Sequence, residues 1–431
     1  MSISDTDAAS SNVSTQLTVS NGVLNVSLSG GATISSGNND SSDLTLSGTV
    51  DQINLALASI FYTGDTDVAG INADTLIITT SDGGNTGSGG VLEDIDTIQI
   101  NLSAINDAPV LAAIEGSALA YVENDGAVTI TASLTLSDVD DTNLESAEVA
   151  ISGNYNPAED LLAFTNTTTI TGSWNAATGV LTLSGTDTIS AFETALRSVT
   201  YENTSDDPDI LDRIITFVIN DGDIDSNSVS RTVELTTVND NSVVTLDGVV
   251  TYLENSQPSL IAPAATITDV DSADFDGGIM TVALTSNGHS LDRLAFQSVG
   301  TGPGEISAGG STLFYEGTQI GSYSGGTDGS TALTITLNSA ANSNSVQALL
   351  RSITFEHLSD DPVTIRTFEV TLSDGDGGST SSTSTITITP INDAPVLASL
   401  SGDTVFAIND GTTYRVDTCL LYTSPSPRDR G

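Results

Sequence analysis

The chain has 431 residues, of which 56 are acidic and only nine are basic, so its formal net charge is −47. Nucleic acids and anionic membrane surfaces are excluded as partners, because both are recognised through a basic surface. No apolar run approaches the roughly 20 residues that span a bilayer, which argues against direct membrane insertion. Aromatic residues make up 5% of the chain and Gly is abundant. This composition predicts many short strands joined by turns, and hence an all-β fold of the sandwich type.

One heptapeptide divides the chain into repeating units. Ile105–Leu111 recurs letter for letter as Ile391–Leu397, and a weaker copy lies at Val238–Val244. We call these copies seams, because each follows an alternating run that is typical of a strand with one buried face. The predicted domains are 1–105, truncated at its N-terminus; 106–238; 239–391, with a loop insertion; 392–418, the start of a fourth repeat; and the tail 419–431.

The two ends of the chain differ from the interior. Ser4–Asp7 matches Ser137–Asp140 of the next unit, so we expect the first unit to lack its first strands. The chain is then predicted to be a piece of a longer array, with its export signal and anchor elsewhere. The tail 419–431 shares no pattern with the repeats and resembles a translated sequencing adaptor, so we interpret it as an artefact. It holds the only cysteine, Cys419, and without it disulfides and a thiolate nucleophile are excluded.

Within each unit the same landmarks follow in order, which indicates tandem repeats. A Glu-Asn pair and an Asp-x-Asp motif come first, and an acidic turn, an Asp-Gly turn and the next seam come last. Between them, apolar residues at helical spacing predict one short helix per unit. The three predicted helical segments are 50–57, 189–196 and 344–350. The third unit also carries an insertion around residues 300–329, which is rich in Gly and Ser and is predicted to be an extended loop.

The acidic motifs fall at loops or strand ends, so neighbouring stacked units would bring several of them together. Calcium takes six to eight oxygen ligands from carboxylates, Asn side chains and backbone carbonyls, and these motifs offer that set. None of them is an EF-hand: Asp221-Gly-Asp223 begins like one, but Ser226 and Thr232 stand where Gly and Glu are needed. A solvated acidic surface would explain the charge without any ion, and that alternative stays open.

In this order of motifs the sequence resembles the cadherin-like tandem repeats of large bacterial surface and secreted adhesins. The resemblance rests on Glu123-Asn124, Asp138-Val-Asp140, Asp221-Gly and Val238–Asn241, and it spans nearly all of residues 1–417. It implies Ig-like or cadherin-like β-sandwiches in a linear array, at the cell surface or outside the cell, with calcium bound between consecutive domains. It also implies cell-surface proteins, glycans or a second copy of the chain as partners.

The resemblance further implies ligand sets for three calcium sites. The set between units two and three is Glu123, Asp206, Asp207, Asn239, Asp240, Asp269, Asp271 and Asp374. The set between units one and two is Asp65, Asp67, Asn106, Asp107, Asp138, Asp140 and Asp221. The set between units three and four is Glu254, Asp360, Asp361, Asn392 and Asp393. The Asp-Arg-Glu motif of cadherins is not present as such; Asp212-Arg213 and Asp292-Arg293 are fragments of it.

The predicted function is a calcium-stiffened extracellular repeat array that mediates or extends adhesion. Its first alternative is a passive spacer that is indifferent to ions, and a more distant one is a carbohydrate-binding or glycan-processing module. We predict no enzyme, because the chain has no Lys and only two histidines, His289 and His357, both placed in turns at the surface. The lone Trp174 is predicted to pack in the core or in a hairpin rather than to form a glycan platform.

Overall fold

The computed structural model describes residues 1–84 and 89–394. The chain forms two compact units, residues 1–236 and 237–431, which are treated separately below. Within the described residues, unit 1 holds two hydrophobic cores and unit 2 holds one. We call the strands around these cores the first sandwich (residues 13–102), the second sandwich (110–236) and the third sandwich (243–389). The predicted all-β class with tandem β-sandwiches is confirmed.

The described part of the first sandwich has seven strands and one helix. Its elements are β1 (Val13–Thr18), β2 (Gly22–Asn25), β3 (Thr33–Gly37), β4 (Asp43–Gly48), α1 (Val50–Leu57), β5 (Phe61–Gly64), β6 (Gly70–Ser81) and β7 (Glu93–Leu102). They form a five-stranded sheet in the order β3-β4-β1-β6-β7 and a separate pair β2-β5. The side chains of β1 alternate between buried and half-buried, as expected for a strand with one face on the core.

The second sandwich has eleven strands and one helix. Its elements are β8 (Val110–Ala112), β9 (Leu119–Val122), β10 (Val128–Thr129), β11 (Thr135–Ser137), β12 (Asn143–Gly153), β13 (Asp160–Ala163), β14 (Thr171–Asn175), β15 (Val180–Thr188), α2 (Ile189–Ser198), β16 (Thr200–Asn203), β17 (Arg213–Asn220) and β18 (Val229–Thr236). The main sheet has the order β14-β15-β12-β17-β18-β9, with β9 parallel to β18. The sheet β10-β16-β13 and the pair β11-β8 complete the sandwich.

The third sandwich repeats this plan in unit 2. Its elements are β19 (Val243–Thr245), β20 (Val250–Leu253), β21 (Ser259–Leu260), β22 (Thr266–Thr268), β23 (Ile279–Ser286), β24 (Asp292–Phe296), β25 (Ile306–Gly309), β26 (Thr312–Tyr315), β27 (Thr318–Ser324), β28 (Leu333–Leu337), α3 (Ser343–Arg351), β29 (Ile353–His357), β30 (Ile365–Ser373) and β31 (Ser379–Thr389). Its main sheet has the order β20-β31-β30-β23-β28-β27-β26-β25. The remaining strands form β21-β29-β24 and β19-β22.

The insertion in the third sandwich is therefore not an extended loop, and that prediction was wrong. Strand β27 pairs with β28 as β14 pairs with β15, and the inserted hairpin β25-β26 extends the sheet beyond β27. Gly and Ser at 309–311 form the tight turn of this hairpin, with Gly310 at φ +66°. A run rich in Gly and Ser looked like a loop because its few apolar residues, such as Ile306 and Leu313, become buried only when the hairpin joins the sheet.

The three predicted helical segments are confirmed as α1, α2 and α3. Each begins after a capping side chain: Thr49, Thr188 and Asn342 accept a hydrogen bond from a backbone N–H in the first helical turn. Each helix buries one apolar face against its own core, for example through Phe192 and Leu196 of α2.

A buried ion pair lies in the core of the second sandwich and another in that of the third. Arg213 Nε is 2.8 Å from Asp160 Oδ2, and Arg366 Nε is 2.9 Å from Asp292 Oδ2, with all four side chains almost completely buried. Asp292 also lies 2.5 Å from Nδ1 of His357. The predicted surface position of His357 was therefore wrong, because this side chain is 2% exposed at the end of β29.

In the first sandwich, hydrogen bonds to Asp74 take the place of the buried ion pair, and no arginine is present there. By strand register, Gly22 stands where the second sandwich has Asp160, and Asp74 stands where it has Arg213. A Cβ on Gly22 would lie 2.4 Å from the carbonyl oxygen of Thr63, so no carboxylate fits there. Asp74 instead accepts hydrogen bonds from the backbone N–H groups of residues 20 and 21 and from the Tyr62 hydroxyl.

The remaining sequence predictions concern Trp174, His289, membrane spans and the C-terminal part of the chain. Trp174 packs edge-to-face on Tyr155 in the β14-β15 region, with ring centroids 6.0 Å apart, which confirms its predicted packing role. His289 is exposed, as predicted. No described helix has the length and apolar character to cross a membrane. The predicted tail 419–431 and nearly all of the predicted fourth repeat lie outside the described residues, and the predicted domain boundaries remain predictions.

Candidate metal centre

The seam of the second sandwich meets an Asp-x-Asp turn because of how two short strands pair. Strand β8 runs antiparallel to β11, with Val110 opposite Ser137. The residues just before Val110 therefore lie beside those just after Ser137, and these are the acidic ones. Strand β17 ends at Asn220, and the next residue, Asp221, contacts Asn106 of the seam. We call the resulting group the Asp138 cluster; its members are Asn106, Asp107, Asp138, Asp140, Asp141 and Asp221.

Hydrogen bonds fix the orientation of the carboxylates in the Asp138 cluster. Asp138 Oδ1 accepts the backbone N–H groups of Asp140 and Asp141, at 3.1 and 2.9 Å, which closes a tight turn. The backbone N–H of Asp107 donates to Asp140 Oδ1 at 3.3 Å, and the amide of Asn106 donates to Asp221 Oδ2 at 2.8 Å. The seam is thus hydrogen-bonded to both acidic motifs.

Three carboxylates of this cluster converge. Oxygen atoms of Asp138, Asp141 and Asp221 all lie within 4.8 Å of one another. Asp138 Oδ2 is buried and has no hydrogen-bond partner among the described residues. Burial and the neighbouring charges of Asp138 and Asp140 raise the pKa of Asp141. Crowded carboxylates with an unsatisfied buried oxygen are the arrangement that a hard cation neutralises.

The pKa of Asp221 moves the other way. Its burial would raise the pKa, but hydrogen bonds from the backbone of Ile224, the side chain of Asn106 and the backbone of Asp223 outweigh burial and lower it. Asp221 is therefore held as a carboxylate inside the cluster, where its Oδ1 is occupied by backbone N–H groups at 2.7 and 2.8 Å.

The third sandwich builds a second cluster in the same way, within unit 2. Strand β19 pairs with β22, with Val243 opposite Thr268, so the seam again meets the residues that follow the strand. We call this group the Asp269 cluster; its members are Asn239, Asp240, Ser242, Asp269, Asp271 and Asp374. Asn239 Nδ2 donates to Asp374 Oδ2 at 3.0 Å, and Asp240 N donates to Asp271 Oδ2 at 3.0 Å. These two contacts correspond to those of Asn106 and Asp107.

The Asp269 cluster also contains a buried oxygen without a partner. Asp271 Oδ1 is buried and makes no hydrogen bond with any residue that the structure describes. Burial and the neighbouring charge of Asp269 raise the pKa of Asp271, against a hydrogen bond from the backbone N–H of Asp240 that lowers it. Asp374 is fully buried, and its Oδ1 accepts the N–H groups of Asp376, Gly377 and Gly378. Among the described residues of unit 2, no three acidic oxygens converge as closely as in the Asp138 cluster.

The site predicted between the second and third sequence repeats takes ligands from both compact units of the structure, so it remains a prediction. Glu123 is 5% exposed at the end of β9, and its backbone N–H donates to the carbonyl oxygen of Thr236 at 2.9 Å. Asp206 and Asp207 are exposed in the turn after β16. Asn124 of the Glu-Asn pair has φ +65°, a left-handed conformation that Asn tolerates better than most residues. This explains the Asn of that pair through backbone geometry.

The remaining predicted ligands belong to neither of the two clusters. Asp65 and Asp67 are exposed after β5 and belong to no converging group of three acidic oxygens within the described chain. Glu254 is buried and its Oε2 accepts the backbone N–H of Ile391 at 2.6 Å. The other members of that predicted set, Asp360, Asp361, Asn392 and Asp393, are exposed.

Sequence reasoning missed two members of the clusters. Asp141 directly follows the Asp-x-Asp motif and was visible as a third acid, but only its backbone turn shows that it joins Asp138. Ser242 takes the position of Pro109 in the other seam, and its hydroxyl donates to Asp269 Oδ2 at 2.6 Å. A hydroxyl in a seam gave no signal in the sequence, because serine is common in loops.

The chain is similar to known proteins through one family model and several solved structures. The family model described as "Protein GAMETE EXPRESSED 2 domain" matches residues 7–88, which lie outside both clusters. No significant match was found among curated proteins. Among solved structures, PcdhgB3 EC1-4 is similar at 14% identity and TM-score 0.31, covering 88% of this chain and 67% of that chain. The mouse Cadherin-23 EC22-24 structure is similar at 13% identity and TM-score 0.28, covering 88% and 86%.

A third similar structure is the protocadherin GammaB4 extracellular domain, at 14% identity and TM-score 0.29. The alignment covers 88% of this chain but only 43% of that one. The structural neighbours are thus extracellular repeats of cadherins and protocadherins.

Proposed function

We propose that this chain is a calcium-binding, extracellular repeat array of the adhesion type, from a bacterial surface protein. The observation that carries the proposal is the repetition of one acidic arrangement in two sandwiches. In both clusters an Asn amide and an Asp backbone N–H of the seam are hydrogen-bonded to two acidic motifs, and a carboxylate oxygen is left buried without a partner. The bacterial origin in this proposal rests on the repeat sequence alone.

The proposed role of calcium is electrostatic and mechanical. The chain carries a net charge of −47, and its crowded Asp residues repel one another unless a cation lies between them. Asp138, Asp140 and Asp141 of the first cluster, like Asp269 and Asp271 of the second, would supply carboxylate oxygens to the ion. An ion held by the seam and by the turns it contacts would fix the direction in which the chain enters each sandwich. The array would then be stiffer with calcium than without it.

Calcium titration of the full chain tests this proposal. We expect calorimetric binding, and a rise in the free energy of unfolding of about 2.7 kcal/mol when free calcium is about 100 times Kd. Asp138→Asn with Asp140→Asn, or Asp269→Asn with Asp271→Asn, should each remove part of the binding and of the thermal shift. The matched control is Asp94→Asn with Asp96→Asn, which makes the same charge change on the exposed strand β7 and should leave binding unchanged.

Hydrodynamic size provides the mechanical readout. We expect the chelator to shorten the mean particle length measured by small-angle scattering, and calcium to restore it. If calcium changes neither the unfolding temperature nor the particle length, the proposal is wrong and the array is a passive spacer.

A further inference from the structure

A cleft of about 410 Å³ lies in the third sandwich, between α3 and the inserted hairpin β25-β26. The hairpin has no counterpart in the first or second sandwich, where β3 and β14 are the corresponding edge strands. The volume lies in the range of about 300–1,000 Å³ that is usual for small-molecule sites. The cleft is distant in sequence from the seam residues, and none of its lining residues belongs to the Asp269 cluster.

The cleft combines an apolar floor with hydrogen-bond donors and hydrogen-bond acceptors. Ile306 and Ala348 contribute apolar surface, and the half-buried ring of Tyr315 lies beside them. Glu305 offers a carboxylate whose Oε2 accepts the backbone N–H of Gly302 at 2.7 Å. Its other oxygen, Oε1, has no hydrogen-bond partner among the described residues, so Glu305 can accept a further hydrogen bond within the cleft.

Arg351 and Gln347 of α3 supply the donors. Arg351 Nε donates to the carbonyl oxygen of Ala265 at 2.7 Å, which fixes the base of the guanidinium group. Its terminal nitrogens form no salt bridge with any described carboxylate. Gln347 Oε1 accepts the backbone N–H of Ile267 at 3.2 Å, which leaves the NH₂ group of the same amide for the cleft.

The corresponding place on α2 shows why these donors are available. Arg197 Nε likewise donates to a carbonyl oxygen, that of Leu134, at 2.8 Å. Its Nη2, however, lies 2.9 Å from Glu193 Oε1, so the cation is paired within the helix. The third sandwich has Gln347 in place of Glu193. One helix position therefore turns a paired arginine into one that lines the cleft without a described carboxylate partner.

From these groups we propose that the cleft between α3 and hairpin β25-β26 binds neutral saccharides. Arg351 and Glu305 line the same space without pairing with each other, so a ligand must satisfy a donor group and an acceptor group together. Sugar hydroxyls both donate and accept, and the apolar face of a sugar ring matches the floor and the Tyr315 ring. An anion would be repelled by Glu305 and by the acidic chain, and a simple cation would leave Arg351 without a partner. The site does not depend on calcium at the acidic clusters.

Binding to the full chain is tested with lactose, maltose and cellobiose, by saturation-transfer NMR and calorimetry. Glucuronate is the anionic comparison and glycine is the zwitterionic one. We expect at least one of the disaccharides to bind, with affinity unchanged by chelator, and glucuronate and glycine to bind more weakly. If no disaccharide binds, if glycine binds best, or if chelator abolishes saccharide binding, the proposal is overturned. Saccharide binding is measured with and without chelator, so a failure of calcium binding would not change the outcome of the saccharide test.

Two variants locate the site. Gln347→Glu restores the helix pair seen in the second sandwich and should lower saccharide affinity about tenfold, since one charged hydrogen bond is withdrawn from the ligand. Glu305→Gln should weaken binding as well, with the unfolding temperature as the check on folding. The matched control is Glu193→Gln in the second sandwich, which should leave saccharide affinity unchanged. Wild-type affinity in both cleft variants would contradict the assignment.

Discussion

The second and third sandwiches have the same strand pairing around their acidic clusters and around their buried arginines. Three residues that lie beside these groups or on the helix differ between the two. Asp141 corresponds to Ser272, Asn203 to His357, and Glu193 to Gln347. In each pair the contact that shapes the backbone is kept: Asp138 and Asp269, for example, both close the turn that follows the strand. What changes is the side chain next to that contact: an acidic residue becomes Ser or Gln, and an amide becomes an imidazole.

This difference shows how a repeat can vary in chemistry without varying in fold. The shared sandwich fold depends on side chains that form hydrogen bonds with backbone atoms or fill the core. These side chains have little freedom to change. The three differing side chains each lie next to such a group, so they alter its electrostatic surroundings at small structural cost. The three predictions below test this interpretation, beginning with the largest expected effect.

Removal of the buried arginine should produce the largest change in stability. We expect Arg213→Leu to cost about 3–5 kcal/mol of unfolding free energy, because it leaves Asp160 charged and buried without a counter-charge. Arg366→Leu should cost a similar amount, because Asp292 is equally buried at the corresponding place in the third sandwich. Denaturant unfolding of each variant measures both effects.

The matched control for this experiment is Arg293→Leu, which removes an arginine whose terminal nitrogen donates to the backbone carbonyl oxygens of Ser290 and Asp292 and forms no salt bridge with a described carboxylate. A loss for Arg293→Leu as large as those for Arg213→Leu and Arg366→Leu would show that the buried ion pairs contribute nothing beyond the arginine side chain itself.

An exchange at the acidic clusters should produce an intermediate effect. Asp141→Ser removes one converging carboxylate from the Asp138 cluster, and Ser272→Asp adds one to the Asp269 cluster. We expect calcium affinity to fall about tenfold in the first variant and to rise about tenfold in the second, or ~1.4 kcal/mol each, from the change in charge close to the ion. Calorimetric titration of the two variants measures both changes, and shifts of the same sign would refute the comparison.

The smallest effect concerns Glu115 of the second sandwich. Burial would raise its pKa, but hydrogen bonds from Thr131 and Ala132 and the charge of Arg231 lower it to about 2, from an ordinary value of 4.5. The carboxylate therefore stabilises the folded state fully above pH 4.5, and this contribution is lost as the pH falls toward 2. Because the side chain is partly exposed, we expect only about 1 kcal/mol.

Unfolding of Glu115→Gln between neutral pH and pH 2 tests this expectation. The variant should be less stable than the wild type at neutral pH, and the difference should disappear in acid. Glu148→Gln removes an exposed carboxylate from β12 of the same sandwich and serves as the control. A constant difference at all pH values would mean that Glu115 contributes through packing rather than through its charge.

The sequence alone determined the class of fold and much of its internal order. Alternating residues predicted strands, helical spacing predicted α1, α2 and α3, and the repeated motifs aligned the seams with their Asp-x-Asp turns. These signals are local, because strand and helix periodicity are set by neighbours within a few residues. For the same reason Asn106 could be matched with Asn239, and Asp221 with Asp374, before any coordinates. Their proposed role as calcium ligands remains a prediction.

Only the tertiary structure decided which polar groups are buried and what they contact. Asp160 meets Arg213 across 53 residues and Asp292 meets Arg366 across 74, and nothing near either residue in the sequence marks it as part of a core. The burial of His357, the hairpin in place of a loop at 306–315, and the place of Asp141 in its cluster were hidden for the same reason. Each depends on strands that pair over long sequence separations, and side-chain environment is a property of that pairing rather than of the local sequence.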